Sequence, residues 1–154
     1  IIVNVQGDEP FIEVEVVEAV INRVKQIKEN NEDIMITSCY KEISSSLADD
    51  PNHVKVVLDE HSNAIYFSRA KVPYHRDHYE NATYSGHLGI YGFTKKSLNA
   101  FCKLPSSKLE NIEKLEQLRA IDNGHKIAMV KVVSKSFGID TQEDLNNALK
   151  IFGK

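Results

Sequence analysis

Two aspartates, one arginine, a few histidines and one glutamate stand where their side chains could do chemistry. Asp8 comes directly after an apolar, β-branched run and Gly7, at the carboxyl end of a strand, which is where open α/β sheets hold their ligands. A carboxylate there suits a metal ion, although serving a turn before the next helix is the commoner use of a Gly-Asp pair. Asp140 follows Phe137-Gly138-Ile139 and precedes Thr141-Gln142-Glu143-Asp144. It therefore reads first as a helix N-terminal residue and only second as a metal ligand. Arg69 and His87 each stand beside apolar strand residues, a placement from which a polar side chain can reach into a cleft. His75, Asp77 and His78 form a small cluster, which reads as solvated loop unless a further ligand converges on it.

The stretch from Lys108 to Asn123 reads as one helix ended by Gly124. At about 100° per residue, Leu109, Ile112, Leu115, Leu118 and Ile121 share one broad apolar sector. Glu116 points between Leu109 and Ile112, and a carboxylate at the edge of an apolar face is either paired by a neighbour or used as a hook for a ligand. Arg119 falls in the same sector and is its expected structural partner. Gln117 points elsewhere and reads as surface. Tyr66, Phe67, Tyr91, Phe93 and Met129 read as core or half-buried strand residues.

The elements that must position these groups alternate in type. Strands are expected over 1–6, 34–40, 87–93 and 126–133, with a hairpin formed by 54–58 and 64–67 around a turn at 60–63. Helices are expected over about 13–29, weakly over 95–103, over 108–123, and from the capping box at Thr141 through Phe152. This order gives an α/β sandwich with an antiparallel insertion. The opening run Ile1-Ile2-Val3-Asn4-Val5 suits a strand buried on both faces of a parallel sheet. With no initiator Met before it, the sequence reads as a fragment that begins inside a larger fold.

Bulk properties exclude several classes. The chain has 154 residues, 42% of them apolar and 27% charged, which is ordinary for a globular domain and too apolar for a disordered one. A formal charge of -3 without a basic stripe argues against a nucleic acid polymer or an anionic membrane as partner. Cys39 and Cys102 form no CxxC or Cys/His ladder, which fits a reducing cytoplasm. The seven glycines are scattered. Gly86, Gly89 and Gly92 surround a strand with no lysine-bearing loop and helix behind them, so they do not form a phosphate cradle.

Six blocks, however, fall in a telling order: Val3-Asn4-Val5-Gln6-Gly7-Asp8-Glu9-Pro10; Val54-Lys55-Val56-Val57-Leu58-Asp59; Tyr66-Phe67-Ser68-Arg69-Ala70 with Pro73; His87-Leu88-Gly89-Ile90-Tyr91-Gly92; Leu109-Glu110 with Ile112-Glu113 and Leu115-Glu116-Gln117-Leu118-Arg119; and Gly138-Ile139-Asp140-Thr141 before Glu143-Asp144-Leu145. In this order they resemble the 3-deoxy-manno-octulosonate cytidylyltransferases, or CMP-Kdo synthetases, from one end of the chain to the other. The resemblance implies a Rossmann-like, nucleotide-diphospho-sugar transferase (GT-A-like) fold, with residues 1–154 as the C-terminal portion of a single cytidylyltransferase domain. The family's N-terminal nucleotide motif, a Pro-Ala-Arg segment and a Leu-Pro-Gly-Lys-Pro stretch, is absent, so the nucleotide-binding part is missing.

The resemblance further implies that Asp8 and Asp140 are catalytic and hold Mg²⁺, while Gln6, Arg69, His87, Tyr91, Glu116 and Gln117 surround the acid sugar Kdo. A guanidinium fork suits the sugar's carboxylate, and amides, a carboxylate and a phenol suit its hydroxyls. The implied reaction transfers CMP from CTP to the anomeric hydroxyl of Kdo, with pyrophosphate leaving, in a cytoplasmic homodimer that serves lipopolysaccharide biosynthesis. Two alternatives stand beside it: a CMP-activating enzyme for 8-amino-Kdo or sialic acid, and a non-catalytic binding or dimerisation module.

Overall fold

In this computed structural model, which describes residues 1–7, 9–77, 82–135, 145, 146, 149 and 150, one long strand organises a mixed sheet. In chain order the described elements are β1 (Ile2–Val5), α1 (Val14–Glu29), β2 (Ile36–Ser44), α2 (Ser45–Asp49), β3 (Lys55–Leu58), β4 (Ala64–Ser68), β5 (Thr83–Phe93), α3 (Lys95–Phe101), α4 (Lys108–Glu113), α5 (Leu118–Asp122) and β6 (Ile127–Lys131). The strands run β4-β3-β5-β2-β6, and β1 also pairs with β5. Only β2 and β6 are parallel neighbours among these strands; the other pairs are antiparallel. The α/β class expected from the sequence is observed, with the hairpin formed by β3 and β4.

β5 carries β2 along one edge. Its other edge is shared, with β1 pairing from Ile90 to Phe93 and β3 meeting it at Gly86. Between those two stretches lie His87, Leu88 and Gly89, which no strand on that edge covers. Opposite them the β2–β5 register shifts between Ser38 and Cys39, an irregularity of the kind that bends a strand and re-aims its side chains.

Helices cover both faces of the sheet. On α1, Val16, Val20, Val24 and Ile27 are buried at the helical spacing of one apolar stripe, and Val16 and Val20 pack with Cys39, Leu88 and Ile90. The opposite face buries Ile36, Val56, Phe67, Phe93, Leu118 and Ile127, beneath α3 and the α4–α5 segment. The β3–β4 turn is closed by Asp59, whose carboxylate accepts from the backbone of His61 at 2.9 Å and Asn63 at 2.7 Å.

Three expectations change. β1 is largely exposed, with Ile2 and Val5 at 37% and 39%; among the described residues it pairs with β5 alone, and of its apolar side chains only Val3 packs into a core cluster there. β2 and β5 run farther than their apolar patterns, so that Lys41 to Ser44, beyond the end expected at residue 40, continues the sheet. The helix expected over 108–123 is broken at Lys114, which adopts a left-handed conformation with φ 55°. Most of the last expected helix, including Thr141 to Asp144 and Phe152, lies outside the described residues.

At Gly92 the sheet and α1 approach too closely for a side chain. A Cβ there would fall 2.7 Å from Val24 Cγ2 and closer still to Val20 Cγ1. Gly92→Ala should lower unfolding stability by about 1–3 kcal/mol, measured by urea denaturation; an unchanged midpoint would mean that α1 yields freely.

Candidate functional site

The uncovered stretch of β5 forms the floor of a cleft of about 550 Å³. On one side, the chain leaving β1 bonds where a strand would have paired: the Gln6 N–H donates to the Gly89 carbonyl at 2.9 Å, and the Gly89 N–H donates to the Glu9 carboxylate at 3.2 Å. Gly89 leaves room for this approach: a Cβ would lie 2.7 Å from Gln6 Oε1 and 3.2 Å from Glu9 Cγ, so both side chains would have to shift. The other walls are the Asp50–Val54 segment, Arg69 at the end of β4, and Lys114–Gln117 between α4 and α5.

Arg69 is held on every side. Its Nε donates to the Glu113 carbonyl at 2.9 Å and its Nη1 to the Pro51 carbonyl at 3.1 Å. Its backbone N–H donates to Glu113 Oε2 at 2.9 Å, and its carbonyl accepts from Lys55 Nζ at 2.7 Å. Lys55, fully buried, also donates to the Asp50 carbonyl at 3.1 Å. Burial pushes the Lys55 ammonium below its ordinary range, against the pull of the nearby Asp50 and Glu113 carboxylates. Two of the five guanidinium N–H donors of Arg69 are thus spent on fixing its plane, and the other three have no partner among the described residues.

Glu113 joins this wall to the next. Besides the Arg69 backbone, its carboxylate accepts from the Ser68 hydroxyl at 2.7 Å and the Tyr66 hydroxyl at 3.3 Å. Burial works against its charge, yet these donors outweigh that and hold its carboxyl below the usual range. Immediately after it, Lys114 turns left-handed and the chain enters the cleft wall. The far end is fixed by Glu110 and Arg119, a partly buried ion pair in which Arg119 Nε donates to Glu110 Oε2 at 2.9 Å and its Nη2 to the other oxygen. The Arg119 bond, aided by the backbone of Ser107, lowers the Glu110 carboxyl to about 2 against the effect of burial.

This arrangement corrects the helical-wheel reading. Arg119 pairs with Glu110, not with Glu116, which is left exposed on the cleft wall. Gln117, expected on the surface, is 3% exposed, and Ile112, expected in the apolar sector, is 65% exposed. The break at Lys114 rotates everything after it, so a continuous wheel cannot place these residues.

Gln6, Arg69, His87, Tyr91, Glu116 and Gln117 all line the one cleft. Gln117 Nε2 is buried with no hydrogen-bond partner among the described residues. Asp8 and Asp140 lie outside the described residues; Gly7 and Glu9, which flank Asp8 in sequence, line the cleft. Of the histidine cluster, His78 also lies outside them, the His75 ring meets Tyr84 edge-on at 5.0 Å, and Asp77 is exposed. No group of three or more His, Cys, Asp or Glu gathers to hold a metal among the described residues, and no described helix is long and apolar enough to cross a membrane.

Lys41, which lines the cleft, and Lys55 and Glu113, which hold Arg69, were not expected in the site. Lys55 had a visible signal, a lysine inside a β-branched apolar run. Glu113 stood in a matched block but had no role there, because its partners lie more than forty positions away.

The cytidylyltransferase family model matches residues 1–127. The chain belongs to the cytidylyltransferase family. Within it, the chain is similar to the 3-deoxy-manno-octulosonate cytidylyltransferase of Wolinella succinogenes, 55% identical across 99% of this chain and 64% of that protein. It is also similar to the enzyme of the same name from Helicobacter pylori, 51% identical across 98% of this chain and 61% of that one. A solved structure of CMP:2-keto-3-deoxy-manno-octonic acid synthetase complexed with CTP superposes with a TM-score of 0.83 and 34% identity, over 97% of this chain and 60% of that chain. The fold of this cytidylyltransferase chain is therefore the nucleotidyltransferase one, and the chain spans about three-fifths of the length of the curated relatives it matches.

The Glu110 pair gives this wall a pH signature. Its carboxyl has an ordinary value of 4.5 and is depressed to about 2 in the folded chain, so the unfolded chain takes up the proton first. The stability it contributes is complete above the higher value and is lost as pH falls through the lower one. Glu110→Gln should flatten the decline in urea stability between about pH 5 and pH 2. Parallel wild-type and variant profiles across that range would remove the pair from the stability of this wall.

Proposed function

We propose that this chain is the acid-sugar part of a 3-deoxy-manno-octulosonate cytidylyltransferase, in which the whole protein transfers CMP from CTP to Kdo. The carrying observation is the pairing, in one cleft, of an immobilised Arg69 with the buried Gln117 Nε2, which has no hydrogen-bond partner among the described residues. An unsatisfied buried donor costs about 1–3 kcal/mol, a penalty that a ligand oxygen would remove. Relatives named for this reaction, and the fold shared with a synthetase bound to CTP, support the same reading.

In the proposed complex Arg69 receives the Kdo carboxylate through its remaining N–H donors, as a planar fork suits a planar anion. Gln117 Nε2 donates to a sugar oxygen, while the exposed Glu116 accepts from a hydroxyl on the same wall. Gln6, His87 and Tyr91 contact the ring from the floor and the β1 side. The anomeric oxygen then attacks the α-phosphorus of CTP; a new P–O bond forms as the bond to the pyrophosphate oxygen breaks, and the hydroxyl proton is released.

Asp8 and Asp140 are the proposed ligands of Mg²⁺. Two carboxylates fit an ion that takes its other ligands from phosphate and water. When bound, the ion would ease deprotonation of the attacking hydroxyl and offset charge on the phosphates. The full-length protein is proposed to act as a homodimer.

In the full-length gene product, Arg69→Lys should raise the KM for Kdo by about ten- to a hundredfold, because a point-like ammonium cannot reproduce the fork. The KM for CTP should hardly move. Steady-state kinetics with each substrate varied in turn decides; a raised KM for CTP with an unchanged one for Kdo would place Arg69 on the nucleotide side.

A further inference from the structure

His87 meets the cleft with one ring nitrogen and the sheet with the other. Its Nε2 lies 2.9 Å from the hydroxyl of Ser38, a residue of β2 with no exposed surface. The Ser38 oxygen is also 2.7 Å from the Ile90 carbonyl and 3.5 Å from that of Leu88. A hydroxyl has one proton, and a carbonyl oxygen can only accept. At 2.7 Å the Ser38 proton belongs to Ile90, or two oxygen lone pairs would face each other. The Ser38 oxygen can then only accept from the ring, so Nε2 carries a hydrogen.

The other nitrogen follows by difference. Burial lowers the His87 imidazole to about 3, so the ring is neutral and holds a single N–H. With that hydrogen on Nε2, Nδ1 is a bare lone pair. It has no hydrogen-bond partner among the described residues and is not one of the atoms sealed from solvent without one, and His87 lines the cleft. Phe67 lies edge-on to the ring at 5.0 Å and Tyr91 is tilted against it at 5.5 Å, and a half-turn about Cβ–Cγ would put carbon Cε1 in place of Nε2 and lose the bond to Ser38.

We propose that Ser38 is a positioning residue that holds His87 as its Nε2–H tautomer, so that Nδ1 offers the cleft an acceptor for a hydroxyl of the bound sugar. The position thereby selects a ligand group that donates a hydrogen and disfavours a carboxylate or keto oxygen, which leaves the sugar's carboxylate to Arg69. The β2–β5 irregularity is what makes this possible, because it brings the Ile90 carbonyl and Nε2 of His87 to the same hydroxyl. The tautomer rests on the chain's own geometry; the identity of the donor rests on the proposed acid-sugar function.

Nitrogen NMR of the full-length protein labelled at histidine reads the tautomer directly. Wild type should show His87 protonated at Nε2 near neutral pH, and saturating Kdo should shift its Nδ1 resonance as that nitrogen accepts a hydrogen bond. Ser38→Ala should give a mixture of tautomers and raise the KM for Kdo by about 3- to 10-fold, the worth of one neutral hydrogen bond, with the KM for CTP unchanged. Ser38→Thr, which keeps the hydroxyl, should restore both. A wild-type His87 protonated at Nδ1 would overturn the proposal, and so would a Ser38→Ala protein that kept both the tautomer and the KM for Kdo. Should Ser38→Ala fail to fold, the wild-type spectrum decides alone. An Nε2–H tautomer in a protein to which Kdo does not bind by calorimetry would overturn the substrate reading and leave Ser38's hold on the ring standing.

Discussion

Glu113 sits at the end of α4 with two oxygens and three donors converging on them: the Ser68 and Tyr66 hydroxyls and the backbone N–H of Arg69. Its own carbonyl accepts from the Arg69 side chain. One residue therefore fastens the last turn of a helix to the last residues of a strand that precedes it by more than forty positions. Both cleft walls that carry the proposed sugar ligands, Arg69 on one and Glu116 with Gln117 on the other, depend on that fastening. A half-buried carboxylate is stable there because several hydrogen bonds to its charged form offset the cost of taking it out of water.

The remaining supports build outward from the same point. Lys55 donates to both the Arg69 and Asp50 carbonyls, which ties the loop before β3 to the end of β4. The Glu110–Arg119 pair holds α4 to α5 across the break at Lys114. On the floor, β5 leaves Leu88 and Gly89 without a strand on one edge, and the Gln6 and Glu9 bonds to Gly89 satisfy backbone groups that would otherwise be stranded. The cleft is thus a gap in strand pairing, lined largely by polar residues.

Much of this was legible in the sequence. The apolar stripe of α1, the β3–β4 hairpin and the strand nature of 87–93 follow from periodicity. The six cleft residues follow from the order of the matched blocks. What was not legible depends on contacts between distant segments. Lys114 is neither glycine nor asparagine, so nothing in its type announces a left-handed turn, in which its N–H and that of Leu115 return to the Glu110 carbonyl. Once that break is missed, a continuous wheel sends Gln117 to the surface and gives Arg119 to Glu116, when the first is buried and the second belongs to Glu110. Ser38 looked like any strand residue, since its role arises only from the register shift opposite His87.

The measurement that bears most directly on this account is calorimetric titration of Kdo into the full-length Glu113→Gln protein beside wild type, with cooperative unfolding checked for both. The amide can accept from Ser68 with its oxygen, but then sets its own N–H against the Arg69 backbone donor, so one wall is released while the side-chain volume is kept. The account predicts that the dissociation constant for Kdo rises about tenfold or more, with the variant still folded and its affinity for CTP retained. A folded variant that bound Kdo as tightly as wild type would contradict it, because the two walls would then be holding their geometry without the carboxylate that joins them.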